Sequence, residues 1–396
     1  MPASHDLVLF GATGFTGRLT ARYLAQNAPG DCRWALAGRN RAKLAAVREE
    51  LTASFPHCAD LPLLEADAAD PAALRALAAD TKVVITTVGP YLRHGEPLVA
   101  ACAETGTDYV DLSGEPEFVD RMYVRHDATA RRTGARLVHA CGFDSVPHDL
   151  GVLFTVGLLP EGVPLSVDGY VWSNATFSGG TFASALGAFS RGPQMLQAAR
   201  ERRRAEARPA GRRVSLPLGS VRRQGLLGAW AVPLPTIDTQ IVGRSAAALE
   251  RYGPHFTYRH AVRTRSLPLA LGGIAGVAGL VGLAQIPPAR RWLSSRLAPG
   301  EGPDEARRAR SRFSVRFLGE GGGRRVATEV RGGDPGYDET AKMLAESALS
   351  LAFDDLPATS GQVTTAQAMG SALTARLRKA GLQFRVTHTG GPEAGI

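Results

Sequence analysis

The chain has 396 residues, of which 44% are hydrophobic and 21% charged, and this composition excludes a largely disordered protein. Its length suits two domains with separate cores. The net charge of +9 belongs to the second part, because residues 1–145 carry 15 basic against 18 acidic side chains and residues 146–396 carry 31 against 19. No secretory signal and no metal-binding or disulfide spacing of the four cysteines is evident, so we expect a cytoplasmic protein with reduced thiols and no metal.

Short apolar runs alternate with helical patterns over residues 6–145, which predicts βαβ units and a parallel sheet. The predicted strands are Asp6–Phe10, Arg33–Gly38, Pro62–Ala66, Lys82–Val88, Tyr109–Leu112 and Arg136–Cys141. The predicted helices are Thr16–Asn27, Arg41–Ala53, Pro71–Ala79, Glu96–Thr105 and Pro116–Thr133. Six strands in this order indicate an α/β fold, with a Rossmann-like doubly wound parallel sheet as a domain over residues 1–145.

A glycine-rich loop joins the first predicted strand to the first predicted helix. In this position Gly11 permits a tight turn, Gly14 lets a pyrophosphate approach the backbone, and Gly17 lets the helix pack closely on the sheet. The amides at the start of the helix then attract phosphate groups. We therefore predict a dinucleotide-binding loop formed by Gly11, Thr13, Gly14, Phe15, Thr16 and Gly17.

The end of the second predicted strand distinguishes between the two nicotinamide dinucleotides. A site for NAD usually has a carboxylate there, which binds the ribose 2′-hydroxyl. This chain has Arg39 instead, followed by Lys43. Because a guanidinium can donate two parallel hydrogen bonds to a 2′-phosphate, the pattern predicts NADP(H) as the cofactor. The alternative is that Arg39 is a solvated residue at the start of a helix. Asp67 is predicted either to bind the adenine amino group or to cap a helix.

The fourth predicted strand leads into a turn at the sheet edge where ligands lie in such folds. Val88, Gly89 and Pro90 are predicted to pass beside the nicotinamide half of the cofactor. Tyr91 then comes within reach of the reacting end, and simple packing of its ring is the alternative. Tyr91 is therefore both a cofactor-binding and a catalytic candidate.

The sixth predicted strand is followed by a polar cluster, Asp144, Ser145 and His148. Its position at the carboxyl end of a strand suits substrate binding or proton transfer, so these residues complete our set of catalytic candidates. Capping at the start of a helix by Asp144 or Ser145 explains the same residues equally well. His139, within the strand, is predicted to be a buried core histidine.

The remaining residues, 146–396, are predicted to form an α+β substrate domain. Residues 165–245 show strand-like spacing, which indicates an antiparallel sheet. A hairpin and two helices are predicted after residue 312, with the strands at 313–318 and 326–330 and the helices at 338–353 and 366–380.

An arginine-rich run, Arg200–Arg223, contains nine arginines against Glu201 and Glu206. One interpretation is a solvated, mobile loop. The other is a docking surface for an anionic group, namely an acidic carrier protein, a coenzyme phosphate or a lipid headgroup. No nucleic acid is predicted as a partner, because the run lacks interleaved aromatic residues.

An uncharged segment extends over residues 266–289 between basic flanks that contain Arg263, Arg265, Arg290 and Arg291. Its length could span a bilayer, but charges of the same sign at both ends give no inside-positive asymmetry. There are two alternatives to a spanning helix. The segment is a helix or hairpin that dips into a membrane surface, or it is buried or faces another subunit. We expect a cytoplasmic protein that associates with membranes through this segment. If the segment instead faces another subunit, we expect a homodimer.

Several motifs together resemble the saccharopine-dehydrogenase-like oxidoreductases, and more closely their trans-acting enoyl reductase branch. The motifs are GATGFTG (11–17), AGR (37–39), TTVGPY (86–91), GTDYVDLSGE (106–115), ACGFDSVPHDLG (140–151), SGGT (178–181), GDPGYDETAKMLAESALSLA (333–352) and AMGSALTARLRKAG (368–381). The resemblance implies an NADP-dependent oxidoreductase. Some members of the branch act on lipid intermediates carried by a polyketide-synthase partner, and some associate with membranes. The chain shows no pattern for binding an amino acid such as saccharopine, so saccharopine dehydrogenase activity is not expected.

The leading hypothesis is therefore the reduction of a double bond in an acyl or lipid intermediate, either small or carrier-bound, with hydride from NADPH. A positioned group would protonate the α-carbon or stabilise the enolate. Two alternatives belong to other classes of function. The first is a non-catalytic NADP(H)-binding redox sensor, and the second is a membrane-surface scaffold.

Overall fold

The predicted alternation of strands and helices is present in the computed structural model, which describes residues 3–175, 191–207, 209–284, 286, 288 and 303–390. The SGGT motif at 178–181 lies outside the described residues. The first six strands are β1 His5–Phe10, β2 Trp34–Gly38, β3 Leu63–Glu65, β4 Thr81–Thr86, β5 Asp108–Asp111 and β6 Arg136–Val138. The first seven helices are α1 Phe15–Asn27, α2 Arg41–Ser54, α3 Pro71–Ala79, α4 Tyr91–His94, α5 Glu96–Thr105, α6 Pro116–Thr133 and α7 Val146–Val156.

The first sheet is parallel throughout, and its strand order is β14-β6-β5-β4-β1-β2-β3, where β14 is Gly361–Val363. Its central strands are apolar on both faces, since Leu7, Val8, Leu9 and the facing residues 83–85 of β4 are fully buried. Such runs form where helices cover both sides of a sheet. The order reverses between β1 and β4, and this is where doubly wound sheets bind their ligands.

The seventh strand of this sheet, β14 (Gly361–Val363), comes from the C-terminal segment and pairs in parallel with β6. The helix Asp338–Phe353 also packs on this domain, where it contacts α1, β4 and β5. The predicted sheet is thus completed by residues far along the chain. A strict division into residues 1–145 and 146–396 stays a prediction.

The second sheet contains the remaining strands, in the order β15-β13-β12-β7-β11-β10-β9 with β8 beside β11. They are β7 Leu165–Ser173, β8 Arg213–Ser215, β9 Arg222–Gln224, β10 Ala229–Pro233, β11 His255–Thr264, β12 Phe313–Gly321, β13 Arg324–Gly332 and β15 Gln383–Gly390. The hairpin β12–β13 was predicted. A purely antiparallel sheet was the wrong expectation, because β11 pairs in parallel with both β7 and β8 and the sheet is mixed.

The other helices lie around these two sheets. Their bounds are Gly192–Ala205, Ile237–Ala248, Leu267–Ala284, Glu305–Arg310, Asp338–Phe353, Thr365–Ala368 and Gly370–Lys379. The single helix predicted for residues 366–380 is divided at Met369, which separates the last two. Among the residues that the structure describes, no helix is both long and apolar enough to cross a membrane.

Helix α7 connects the two sheets and is held by a buried carboxylate. Asp149 is fully buried and accepts hydrogen bonds from Ser245 Oγ at 2.5 Å, Thr365 Oγ1 at 2.8 Å and the Ala366 amide at 2.8 Å. These partners come from two separate parts of the chain, and they satisfy a charge that would otherwise be costly to bury. These bonds therefore join α7 to the helices Ile237–Ala248 and Thr365–Ala368.

The arginine-rich run is more ordered than a mobile loop. It begins within the helix Gly192–Ala205, and Arg202 Nε lies 2.5 Å from the buried Asp120 carboxylate. Arg212 donates to the carbonyl oxygens of Ala246 and Leu249, both at 2.7 Å, and Arg222 pairs with Asp168 at 2.6 Å. Local charge density alone predicted that these arginines are solvated, but Arg202 and Arg222 pair with distant carboxylates and Arg212 donates to backbone carbonyl groups. The loop interpretation is therefore wrong for these residues.

Candidate active site

Four loops meet at the carboxyl edge of the first sheet, after β1, β4, β5 and β6. Thr87 Oγ1 donates to the carbonyl oxygen of Gly11 at 3.1 Å, which joins the loops after β4 and β1. The loops after β5 and β6 are equally close, because a Cβ placed on Gly114 would lie 2.9 Å from Oδ2 of Asp144. The residues predicted from separate motifs are thus brought to one edge.

The glycine-rich loop has the geometry of a phosphate-binding turn. Gly11 has a φ of +90°, and a Cβ there would lie 2.7 Å from Val88. A Cβ on Gly17 would lie 2.2 Å from the carbonyl oxygen of Gly11, so any side chain would push α1 away from the sheet. Gly14, in contrast, is exposed, and the nearest atom to its Cβ position is 3.5 Å away. The loop therefore leaves open space beside Gly14 and presents the first amides of α1 to it, which fits a pyrophosphate.

The residues predicted to bind the adenosine half lie beyond β2 and β3. Arg39 and Lys43 are both exposed, and α2 is capped by Asn40, which accepts from the Lys43 amide at 2.9 Å. Asn40 therefore caps helix α2, and the Arg39 side chain faces solvent at the end of β2. Asp67 accepts from the Ala69 amide at 2.9 Å, while helix α3 is capped by Asp70. Contact of Asp67 with adenine stays a prediction.

Tyr91 is buried, and its hydroxyl is hydrogen-bonded both as a donor and as an acceptor. Its hydroxyl donates to the Thr86 carbonyl at 3.1 Å and accepts from the Leu112 amide at 3.1 Å, and the residue is 6% exposed. These bonds join the ends of β4 and β5 and use both functions of the phenol. Burial raises the pKa of Tyr91 well above its usual range. We therefore omit Tyr91 from the catalytic set that we propose below.

Asp144 is the predicted catalytic residue that the structure places best. Its carboxyl group is half-buried beside Gly114, at the edge where β5 ends. Burial, which is the largest cause, and the charge of Asp238 together raise the pKa of Asp144 to about 6, against a smaller opposing effect of His148. A carboxyl group with this pKa can hold a proton close to neutral pH, as a general acid must.

Ser145 occupies the N-cap position of α7, but its side chain makes no capping hydrogen bond. The hydroxyl is completely buried and has no hydrogen-bond partner among the described residues. The capping explanation for Ser145 is therefore not supported by the geometry. A role in catalysis stays a prediction for this residue.

His148 belongs to a buried cluster that the sequence did not indicate. Its Nδ1 lies 2.8 Å from Oδ1 of Asp238, and Nε2 of His260 lies 3.7 Å from the other oxygen. All three are at most 4% exposed. Burial alone would raise the pKa of Asp238, but the attraction of His148 and His260 outweighs it and lowers that pKa. Burial lowers the pKa of His260 to about 4, which keeps this imidazole neutral.

This cluster could also be considered as a metal site, since one donor atom from each side chain lies within 4.8 Å of the others. Two histidines and one carboxylate are a common set for Zn²⁺. Nδ1 of His148 lies 2.8 Å from Oδ1 of Asp238, yet both ring nitrogens of His148, Oδ1 of Asp238 and Nε2 of His260 have no hydrogen-bond partner among the described residues. No motif spacing could have revealed it, because the three residues are 90 and 22 positions apart in the chain.

The C-terminal segment covers the glycine-rich loop. The Phe15 ring packs edge-on against Tyr337, with the centroids 4.8 Å apart, and the Arg308 guanidinium lies 5.5 Å from its centre. Thr340 Oγ1 accepts from the Phe143 amide at 3.1 Å. Residues of the 333–352 motif therefore contact both the glycine-rich loop and the loop after β6.

His139 is a core histidine, as predicted. It is 2% exposed, and its Nδ1 lies 2.7 Å from Asp111. Asp111 also accepts from Tyr109 Oη at 3.0 Å and from the Ala140 amide at 2.9 Å. This network holds β5 and β6 together below the site.

Comparison with known proteins agrees with the geometry of this edge. Residues 7–138 match the family described as Saccharopine dehydrogenase NADP binding domain. Apo saccharopine dehydrogenase from Saccharomyces cerevisiae has a similar fold, with a TM-score of 0.55 and 13% identity over 97% of this chain and 100% of the yeast chain. A Mycobacterium tuberculosis protein with the provisional name of trans-acting enoyl reductase is 42% identical over 98% of both chains. The trans-acting enoyl reductase of Mycobacterium leprae is 37% identical over 96% of this chain and 97% of its own.

The open glycine-rich loop and the exposed Arg39 fit NADP(H), in agreement with the matched domain. The similarity to this enoyl reductase relative extends over 98% of the chain and therefore over both of its parts. The chain is an NADP(H)-dependent oxidoreductase that belongs to the trans-acting enoyl reductase family.

Proposed function

We propose that this protein reduces the carbon–carbon double bond of an α,β-unsaturated acyl substrate with NADPH. The observation that carries the proposal is the 42% identity, over nearly the whole chain, to a relative named as an enoyl reductase. The geometry supports it, because a half-buried carboxyl group lies at the same sheet edge as the glycine-rich loop. Reduction of an enoyl group needs these two elements, a bound hydride donor and a proton donor.

The residues that would hold the cofactor are those of the glycine-rich loop and the ends of β2 and β4. The amides after Gly14 would bind the pyrophosphate, Arg39 and Lys43 the 2′-phosphate, and Val88 and Gly89 would lie beside the nicotinamide. When bound, NADPH supplies a hydride for the β-carbon. Asp144 would then donate a proton to the α-carbon, so that the enolate charge does not accumulate.

The proposal is tested by NADPH oxidation with a panel of enoyl, keto and imino substrates. We expect turnover with enoyl thioesters and none with amino-acid-derived imines. A protein that binds NADPH tightly but oxidises it with no member of the panel would instead be a redox sensor. Turnover with only keto or imino substrates would contradict enoyl reduction.

Cofactor preference is expected to follow Arg39. Replacing Arg39 with Asp removes the partner of the 2′-phosphate and adds repulsion, which is expected to cost on the order of 1.5–3 kcal/mol, or roughly ten- to a hundredfold in NADPH affinity. NADH affinity should change little. Arg93→Asp, which removes an arginine away from the predicted adenosine site, is the matched control. Equal affinity of the unaltered protein for NADPH and NADH, measured by fluorescence titration, would contradict this assignment.

We also propose that the helix Leu267–Ala284 contacts a membrane surface. Three of its leucines are strongly exposed, Leu269 at 62%, Leu271 at 55% and Leu283 at 44%. Arg263 and Arg265 precede the helix, and basic residues near a surface attract anionic headgroups by about 1 kcal/mol each. An acyl or lipid substrate, delivered free or on an acidic carrier protein, would be reached from such a surface. A homodimer is the alternative partner for these leucines.

Replacing Leu269, Leu271 and Leu283 with serine is expected to release the protein from anionic vesicles without changing NADPH affinity. The physical reason is the loss of about 1.5–3 kcal/mol of apolar burial for each leucine that enters the membrane surface. Leu196→Ser is the matched control, since Leu196 is 53% exposed on a different helix. Cosedimentation with phosphatidylglycerol vesicles measures the effect. Equal sedimentation of variant and unaltered protein would contradict the membrane contact, and a change from dimer to monomer would support the homodimer.

A further inference from the structure

Two imidazoles and one carboxylate form a buried cluster at the junction of three elements. His148 belongs to α7, Asp238 to the helix Ile237–Ala248 and His260 to β11. One donor atom of each side chain lies within 4.8 Å of the others. The three residues are 2%, 4% and 4% exposed, so the cluster is shielded from solvent.

Four polar atoms of this cluster have no hydrogen-bond partner. Within the part of the chain that the structure describes, nothing bonds to either ring nitrogen of His148, to Oδ1 of Asp238 or to Nε2 of His260. Buried polar atoms without partners are rare and costly. Four of them in one place indicate that the cluster binds a ligand.

The close approach of His148 to Asp238 does not satisfy these atoms. Nδ1 of His148 lies 2.8 Å from Oδ1 of Asp238, but the two atoms do not form a hydrogen bond. At a similar separation of 2.7 Å, Nδ1 of His139 does bond to Asp111. The two pairs therefore differ in direction, because a bonded oxygen must lie near the N–H axis of the ring.

The distances in the cluster suit ligands of one metal ion. Zinc bonds of about 2.0–2.2 Å to nitrogen and oxygen place two neighbouring ligand atoms roughly 3 Å apart. The nearest nitrogen–oxygen distances from Asp238 are 2.8 Å to His148 and 3.7 Å to His260, on either side of that value. Since a metal lies between its ligands, the oxygen need not lie on the N–H axis.

The other polar atoms of Asp238 and His260 are held by neighbouring hydroxyl groups. Thr236 donates to Oδ2 of Asp238, which leaves Oδ1 free. Nδ1 of His260 lies 3.1 Å from the hydroxyl of Tyr258, which leaves Nε2 free. Outer contacts of this kind orient the ligating carboxylates and imidazoles of metal sites.

The charge of Asp238 also favours a cation. Among the described residues, only the two histidines approach its carboxylate as possible positive partners, and no lysine or arginine does. A buried carboxylate needs compensation by a charge or a metal. Mg²⁺ and Ca²⁺ prefer oxygen ligands, whereas two imidazoles and one carboxylate suit Zn²⁺ or Fe²⁺.

We propose that His148, Asp238 and His260 bind a divalent transition-metal ion, with Zn²⁺ as the expected ion. Three protein ligands leave a further coordination position for water or another small ligand. The ion joins α7, the helix Ile237–Ala248 and β11, and His148 is then a metal ligand rather than the predicted proton-transfer group. The sequence-based expectation of no metal rested on the spacing of the cysteines, none of which belongs to the cluster. The site does not depend on the proposed function.

The first test is the metal content of the purified full-length protein, measured by inductively coupled plasma mass spectrometry, which also distinguishes Zn²⁺ from Fe²⁺. We expect about one ion per chain. After removal of the metal with a chelator, titration with zinc chloride should restore about one equivalent and raise the thermal unfolding midpoint by several degrees, because the ion binds the folded state.

Substitutions then locate the ion. Asp238→Asn and His260→Gln each remove a ligand and should lower Zn²⁺ affinity by at least ~100-fold, measured by competition with a chromophoric chelator. Tyr258→Phe removes only the outer contact of His260 and should lower the affinity by roughly 10–100-fold. His139→Gln is the matched control, since His139 is a buried histidine beside an aspartate and lies outside the cluster. It should keep its metal.

Cobalt substitution tests the nature of the ligands. The alternative ligands are the free thiols Cys32, Cys58, Cys102 and Cys141. Co²⁺ in the proposed site should show visible d–d bands without the intense near-ultraviolet band of a thiolate-to-cobalt charge transfer. A thiolate band would place the ion at a cysteine and overturn the assignment.

Three further results would overturn the metal site. The first is an unaltered protein that contains no metal and neither binds added Zn²⁺ nor changes its unfolding midpoint. The second is unchanged Zn²⁺ affinity in folded Asp238→Asn and His260→Gln. The third is an equal loss of the ion in His139→Gln. Where a ligand variant does not fold, Tyr258→Phe and the titration of the unaltered protein decide.

Discussion

Replacing Gly14 with valine is expected to abolish NADPH binding while the protein remains folded. Gly14 is exposed, and the nearest atom to its Cβ position is 3.5 Å away, so the free protein can accommodate a side chain there. The valine methyl groups would occupy the open space in which we place the pyrophosphate. Because pyrophosphate and amides could then no longer meet, we expect affinity to fall by about 100-fold or more, equivalent to about 2.7 kcal/mol.

Gly30→Val is the control for this variant. Gly30 also has open space at its Cβ position, but it follows α1 and lies away from the loops of the site. Isothermal titration with NADPH and a thermal unfolding curve are measured for both variants. Normal NADPH binding by a folded Gly14→Val protein would mean that the phosphates lie elsewhere.

Replacing Asp144 with asparagine is expected to lower the rate of enoyl reduction by about 10²–10⁴-fold, the usual contribution of a general acid. Asparagine has a similar shape but cannot donate the proton, so NADPH affinity should remain within about twofold of its original value. The pH profile gives a second readout. Because the acid must be protonated, activity of the unaltered enzyme should fall as the pH rises through the pKa of Asp144, about 6, in the free enzyme.

Asp70→Asn is the control, since Asp70 caps α3 and asparagine caps helices equally well. This variant should keep both its rate and its pH profile. An Asp144→Asn enzyme with an unchanged rate would exclude Asp144 as the proton donor. Ser145, whose buried hydroxyl has no partner among the described residues, would then be the next candidate to replace.

Local patterns predicted the first six strands of this sheet well because most of them contain a short apolar run between turn residues. The predicted and observed bounds of α3, Pro71–Ala79, and α6, Pro116–Thr133, coincide, since proline opens both and an acidic or glycine residue follows the ends. The tasks predicted for Gly11 and Gly17 agree with the distances around them. Such features depend on neighbours in sequence, which a single chain displays directly.

The features that were missed depend on contacts between distant residues. Strand β14 is only three residues long, Gly361–Val363, and its place beside β6 is set by tertiary pairing. Arg202 belongs to a charged run, yet its environment is set by Asp120 on another helix. In the same way, Asp238 is one carboxylate among many until the fold brings it to His148. Composition and spacing contain no signal for these pairs.

The most direct test of the account is the position of isotope in the product. An enoyl thioester is incubated with the enzyme and NADPH deuterated at C4 of the nicotinamide, and the product is analysed by mass spectrometry and NMR. The account predicts a saturated acyl chain with deuterium at the β-carbon and a solvent-derived proton at the α-carbon. Deuterium at the α-carbon, or an unreduced enoyl group in the presence of bound NADPH, would contradict it.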